Sequence, residues 1–352
     1  MKWIRTKAFL VAAAVVAVAV VAGVVGLVLS GAPTAARRPV AAPTPSPAAA
    51  PAPVIQLRHR LVSPFTGEPV KSLRRVLAVK IDNIVFARPQ TGLNIADIVY
   101  VIPVEGGLSR FLAIFSSHVP PVIGPVRSSR QDDIELLRQF GRPAFAFSGA
   151  QPELLPVVER ARIIDLYAGR RPAAYFRNPS RPAPYNLFAH SRTLLAEAKH
   201  ASKAHNIGFT FGAAPAGGRR TKSESVSYPA ASFRFTWSAA RKHWLVWIDG
   251  ARGETTEGRQ LAPATVVIQY TNVITSVFKE EGLRPPYAET VGHGTALVLR
   301  NGKAFKAHWS RPRKDGGTTF TTANGKPMNF ARGQVWIVLV AKNRASRANE
   351  SQ

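Results

Sequence analysis

Three short apolar runs within residues 76–130 constrain the fold of this chain more than any other feature. Val76–Ile81, Ile98–Val104 and Phe111–Phe115 are each bounded by Gly, Pro, Asn, Asp or charged residues. Runs of this length and punctuation read as buried strands. Polar residues gather at their ends: Asp82, Asn83, Arg88, Asp97, Glu105, Arg110, Arg127 and Arg130. In α/β sheets, ligands bind at strand ends. The stretch therefore marks where a site is expected, and leaves its chemistry to the residue types.

The next signals extend the pattern. Glu105–Gly106–Gly107 reads as a hairpin connection, its glycines supplying positive φ. Arg88–Pro89 opens a loop, because the residue before proline is pushed out of the helical region. Ser129 is placed to cap a helix, with Asp132 at the capping-box position. Ile134, Leu136, Leu137 and Phe140 mark that helix as amphipathic, ending at Gly141. Ala144–Phe147 and Ile163–Ile164 read as strands. A helix begins near Pro152–Glu153, with Pro156 shifting or kinking it, and another covers Thr193–Lys203. Strands alternating with helices predict an N-terminal α/β domain, layered α/β/α, over residues 63–205.

Residues 206–227 are rich in Gly, Ala and basic residues and read as an inter-domain linker. Beyond them the strand signals come close together: Phe233–Trp237, Trp244–Ile248, Val266–Tyr270, Ala296–Arg300, Ala304–Trp309, Thr318–Thr322 and Val335–Val340. Asn301–Gly302 and Asn324–Gly325 are two-residue hairpin signals. Residues 228–342 thus predict a mostly antiparallel β domain, a small barrel or sandwich, before a polar tail at 343–352. The Trp residues alternate within these strands, the pattern of core packing.

The N-terminal end sets the compartment. Residues 1–7 carry Lys2, Arg5 and Lys7, and residues 8–29 hold no charge. A run that long spans a bilayer and exceeds the apolar core of a cleavable signal, so it reads as a transmembrane signal-anchor. Positive charge before the span leaves residues 1–7 in the cytoplasm and the bulk of the chain extracytoplasmic, a single-pass protein of the cell membrane. Residues 30–62 form a linker, and its Pro- and Ala-rich part at 31–56, about 25 residues, reaches up to ~75 Å at ~3 Å per residue.

Lys and Arg number 47 against 20 Asp and Glu, a net charge of +27. Such a balance favours a polyanion as partner. Translocation argues against nucleic acid and for a cell-wall polymer or a lipid-linked phosphate. The chain has no Cys, which excludes disulfides, thiolate metal sites, Cys nucleophiles and lipid attachment at Cys. No HExxH or other recognised metal spacing is present, so neither metal nor cofactor is expected, except a divalent cation if the protein is an enzyme.

The residues themselves resemble a known family. IDN, ARPQTGLNIADIVY, PVEGGLSRFLAIF and IGPVRSSR, followed by VVIQY, TVGHGTALVLRNGKAFKAHW and GQVWIVLV, resemble the two domains of the YerB-like bacterial lipoproteins, from about Ser63 to Val340. The resemblance implies an extracytoplasmic, membrane-attached protein and no established reaction. Two departures stand out: the lipid-bearing Cys is absent, and Tyr185 precedes Asn186 where the family tends to have His. A shorter likeness, in the N-terminal span and the Gly-x-x-Pro-Glu-Leu of Gly149–Leu154, is similar to the LytR-CpsA-Psr phosphotransferases. It implies Arg side chains holding a lipid pyrophosphate.

Arg127 and Arg130 bracket Ser128–Ser129 at a helix start, and Arg110 and Arg88 lie at strand ends of the same domain. Guanidinium forks and backbone N–H groups together make an anion site. The alternative is that each Arg pairs with a local carboxylate and pins its loop. Glu105 and Asp82 are candidate general bases or, more ordinarily, partners of these arginines. Ser128 and Ser129 lack the GxSxG elbow of a nucleophilic serine. Three functional classes follow: a binder of an anionic or glycan envelope component through an Arg-lined cleft, a transferase on a lipid-pyrophosphate-linked glycopolymer, and a scaffold for a partner protein.

Overall fold

A computed structural model describes residues 60–279 and 282–342. The apolar run at 8–29, the start of the linker and the tail lie outside the described residues. Among the described residues, no helix is long and apolar enough to cross a membrane.

The N-terminal segment contributes β1 (Leu77–Asp82), β2 (Ile98–Pro103), β3 (Ser109–Phe115), β4 (Val122–Ile123), α1 (Gln131–Leu137), β5 (Ala144–Phe147), α2 (Leu155–Glu159), β6 (Ile164–Tyr167), β7 (Tyr175–Arg177), β8 (Leu187–His190) and α3 (Ser191–Glu197). The C-terminal segment contributes β9 (Arg219–Arg220), β10 (Ser223–Ser227), β11 (Ser232–Ser238), β12 (His243–Ile248), β13 (Ala251–Arg252), β14 (Thr265–Thr275), β15 (Pro286–Glu289), β16 (Gly292–Arg300), β17 (Lys303–Arg311), β18 (Thr319–Thr322) and β19 (Val335–Ala341).

Both segments build one sheet. Its order is β18-β17-β16-β14-β19-β2-β3-β1-β5-β6, with β15 on β14 and β9 on β17. The join is β19, which runs parallel to β14 on one side and to β2 on the other. The expected linker at 206–227 is itself part of the fold: it supplies β9 and β10, and Ile207 and Phe209 are buried.

Period-two alternation sends each central strand to two cores. Leu77, Val79 and Ile81 enter one cluster and Val76 and Ala78 the other. Strands covered on both faces read as continuous apolar runs, which explains the Val/Ile stretches. Over the first face lie the four-stranded sheet β10-β11-β12-β13, the three-stranded sheet β4-β8-β7 and α3. Phe233 meets Phe111, and Phe235 meets Trp336, edge to face. The other face takes Leu136 of α1, Val158 of α2 and Phe209, Phe320 and Phe330.

This corrects the α/β/α expectation. The helices are only seven, five and seven residues long, too short to layer both faces, and small sheets cover one of them. Pro156 sits in the first turn of α2, where its missing N–H costs nothing. The C-terminal strands form part of an open sheet and not a barrel. Asn301 and Gly302 (φ 50° and 69°) turn β16 into β17 as expected. Trp244, Trp309 and Trp336 are core residues.

Candidate binding site

β1 and β5 pair in parallel from Leu77 to Val79 and then part to admit residues 125–127. The Asp82 N–H donates to Pro125 O (3.0 Å), the Arg127 N–H to Lys80 O (2.9 Å), and the Ser148 N–H to Arg127 O (3.0 Å). Arg127 is thereby stitched between the C-terminal ends of two parallel strands, a position where open sheets bind ligands.

In front of it lies a cavity of about 540 Å³. Arg127, Ser128 and Ser148 line one side; Tyr167, Phe176 and Arg177 line another. The lining holds two guanidiniums and no carboxylate. Arg177 Nη1 donates to the neutral Asn186 Oδ1 at 2.7 Å, so its charge is not cancelled there. Aromatic stacking fixes the walls: Tyr167 on Phe147, and Phe176 on Phe188 and His190. Tyr185 reaches the same corner, its ring 5.8 Å from the Arg127 guanidinium.

Behind the cavity the sequence-predicted charges pair with one another. Arg127 Nε lies 2.9 Å from Asp82 Oδ2, a close ion pair without hydrogen-bond alignment. Glu105 binds two arginines: Arg130 donates from Nε (2.9 Å) and Nη2 (2.5 Å), and Arg110 from Nη2 (3.0 Å). Arg110 Nη1 also donates to Ser128 O (3.3 Å), tying the pair to the cavity wall. Glu105 is aimed by its turn. Gly106 and Gly107 both have positive φ, and a Cβ on Gly107 would come within 2.5 Å of Pro229. Deeper still, Lys80 Nζ meets Asp133 Oδ1 at 2.7 Å, both side chains fully buried.

The anion-site expectation therefore divides. Arg127 and Ser128 reach the cavity, whereas Arg130 (1% exposed), Arg110 and Ser129 are buried behind it. Arg88 turns elsewhere, donating to Asn83 O and to Asp249 Oδ2 (2.7 Å) on the four-stranded sheet. The helix cap falls one residue later than expected: the Arg130 N–H donates to Asp133 Oδ2 (2.7 Å), and Ser129 Oγ donates to the same oxygen. Asp132 instead accepts the N–H of Ala288 in β15. Two charged side chains of this region lacked a motif. Lys80 was visible as a charge inside the apolar run 76–81, while Arg177 carries no local signal.

Ionisation follows these contacts. Burial pushes the Glu105 carboxyl up, but hydrogen bonds and charge from Arg130 and Arg110 outweigh it and hold it down to about 2. That is far from the near-neutral value of an efficient general base. Asp82 has both oxygens engaged, Oδ1 by the Asn83 N–H and Oδ2 by Arg127. Among the described residues, no group of three or more His, Cys, Asp or Glu could hold a metal ion.

Burial raises Asp132 to about 7, and its Oδ2 has no hydrogen-bond partner. A carboxyl whose folded value exceeds its unfolded one stabilises at low pH and loses that contribution as pH rises through the folded value. Stability is expected to fall as pH rises from about 4 to about 7, by on the order of a few kcal/mol. Asp97, raised by burial to about 6, adds to the lower part of the window. Urea midpoints for Asp132→Asn should show a flatter slope between pH 6 and pH 7; an unchanged slope would clear Asp132 of the effect.

Two family models match: "Protein of unknown function (DUF3048) N-terminal domain" over residues 65–205 and its C-terminal domain over residues 225–337. The chain belongs to the DUF3048 family. The gap between the two matches coincides with the expected linker, although in space the DUF3048 segments share one sheet. "Putative lipoprotein YerB" of Bacillus subtilis (strain 168) is 26% identical over 307 residues, which cover 80% of this chain and 86% of that protein. The crystal structure of B. subtilis YerB matches with a TM-score of 0.69 at 22% identity, covering 80% of this chain and 97% of that one. At that identity the likeness speaks for the fold. The resemblance read from the motifs is thus correct.

Proposed function

We propose that this DUF3048 protein is a membrane-associated cell-envelope protein that binds an anionic envelope glycan in the cavity between Arg127 and Arg177. The observation that carries the reading is the lining itself: two guanidiniums, no carboxylate, and the rings of Tyr167 and Phe176. Guanidinium forks suit phosphate or carboxylate, and aromatic walls suit the apolar face of a sugar. The net charge of +27 draws polyanions toward the surface. The apolar run at 8–29 and the relative's name both support attachment to a membrane.

The test is calorimetric titration of the full chain with a disaccharide 1-phosphate, using the unphosphorylated disaccharide as control. Each charge-assisted contact contributes about 1.5–3 kcal/mol, so Arg177→Ala and Arg127→Lys should each weaken phosphate-dependent binding by roughly 10-fold or more. Arg177 is exposed, with a neutral partner, so its removal leaves the fold intact. No saturation at millimolar ligand, or wild-type affinity in both variants, would sink the reading.

A further inference from the structure

A second cavity, of about 450 Å³, opens at the C-terminal ends of three parallel neighbours, β2, β19 and β14. Its character is the reverse of the first. Pro103, Val104, Val273 and Val340 line it together with Leu283 and Tyr228. The Tyr228 hydroxyl is already engaged, donating to Leu339 O at 2.8 Å, so the residue presents its ring. Glu105 lies on the lining, yet both its oxygens are held by Arg130 and Arg110. Its charge is already outweighed by the two guanidiniums that hold it.

The charge at the mouth is Arg284, exposed on the arm that leads into β15. Exposed apolar side chains lie on this arm and on the end of β14 before it: Leu283 is 59% exposed, and Val277 and Ile274 are similarly open. Exposed apolar surface that runs into an apolar cavity marks a binding region. Residues 343–352, which follow β19, are too polar to fill it.

We infer that this cavity receives the hydrocarbon chain of a long-chain fatty acid, with the carboxylate at Arg284. The volume lies at the lower end of the ~300–1,000 Å³ range of small-molecule sites, which suits one chain and not a two-tailed lipid. The apolar walls provide affinity without orientation, and the single guanidinium on the rim sets which end faces out. The site is separate from the Arg127–Arg177 cavity and stands whether or not that cavity binds a glycan.

The probe is cis-parinarate, titrated by fluorescence into the full chain held in amphipol. Saturable binding of one probe per chain is expected. Leu283→Asp, a change at an exposed position that leaves the core untouched, should weaken it by at least tenfold. Arg284→Gln should weaken the carboxylate about tenfold and leave the methyl ester unchanged. In competition with decanoate, dodecanoate and tetradecanoate, each added methylene should tighten binding about fourfold until the cavity fills. Absence of saturation, wild-type affinity in Leu283→Asp, or affinity independent of chain length would overturn the inference. Equal losses for acid and ester in Arg284→Gln would overturn the placement of the carboxylate.

Discussion

Lys80→Met is expected to lower the folding free energy by about 3–5 kcal/mol, the cost of leaving one member of a buried ion pair alone. Lys80 lies inside β1, and its ammonium is 2.7 Å from Asp133 with no exposure of either side chain. Burial pulls the Lys80 pKa down, and Asp133 pulls it partly back. Methionine matches the length of the lysine stem but removes the counter-charge. The Asp133 carboxylate would keep the Arg130 N–H and the Ser129 hydroxyl as partners, too little to hold a full charge away from water. Urea unfolding followed by circular dichroism measures the loss. Adding Asp133→Asn to the variant should restore part of it, because the stranded charge is then gone. Coincident curves for wild type and Lys80→Met would mean the pair contributes nothing.

Glu105→Gln should cost a similar ~3–5 kcal/mol, for a different reason. Glu105 is the shared counter-ion of Arg110 and Arg130, both more than nine-tenths buried. Burial and the neighbouring Arg130 charge already draw the Arg110 guanidinium down to about 10. Without the carboxylate, two like charges face each other in a poorly solvated place. Arg110→Met in the Glu105→Gln background should recover stability, a coupling that a double-mutant cycle reads directly. Because Glu105 is held to about 2 when folded, its contribution is complete above about 4.5 and is lost only as pH falls from there toward 2. Failure of the second substitution to rescue the first would show that the carboxylate acts through something other than these arginines.

The strands were legible because their cause is local. A run such as Val335–Val340 is apolar on successive residues, and only a strand covered on both faces uses such a run fully. The hairpin turns were legible for the same reason, since Gly106–Gly107 and Asn301–Gly302 adopt backbone angles that other residues avoid. Pairing is not local. Nothing in Val335–Val338 specifies Ile98–Val101 as its neighbour, and the expectation of a linker at 206–227 followed from treating each half alone. The site divides along the same line. Residue types marked an arginine-rich strand end. Which arginine faces solvent depended on partners from distant segments: Glu105 captures Arg130 across 25 positions, and Arg177 comes from the far side of the cavity.

The place of β19 has a consequence for how the protein is made. The last strand among the described residues is inserted between two strands made earlier, so the sheet has no complete middle until that strand arrives. A nascent chain lacking Val335–Ala341 presents two apolar strand edges, Ile98–Pro103 and Thr265–Thr275, with unpaired backbone groups facing each other across a gap. Because the chain is synthesised from its N-terminus, that interval is a time of exposure to aggregation and proteolysis. A stop codon shortly before residue 335 removes little of the length, yet it takes away the keystone rather than the coping.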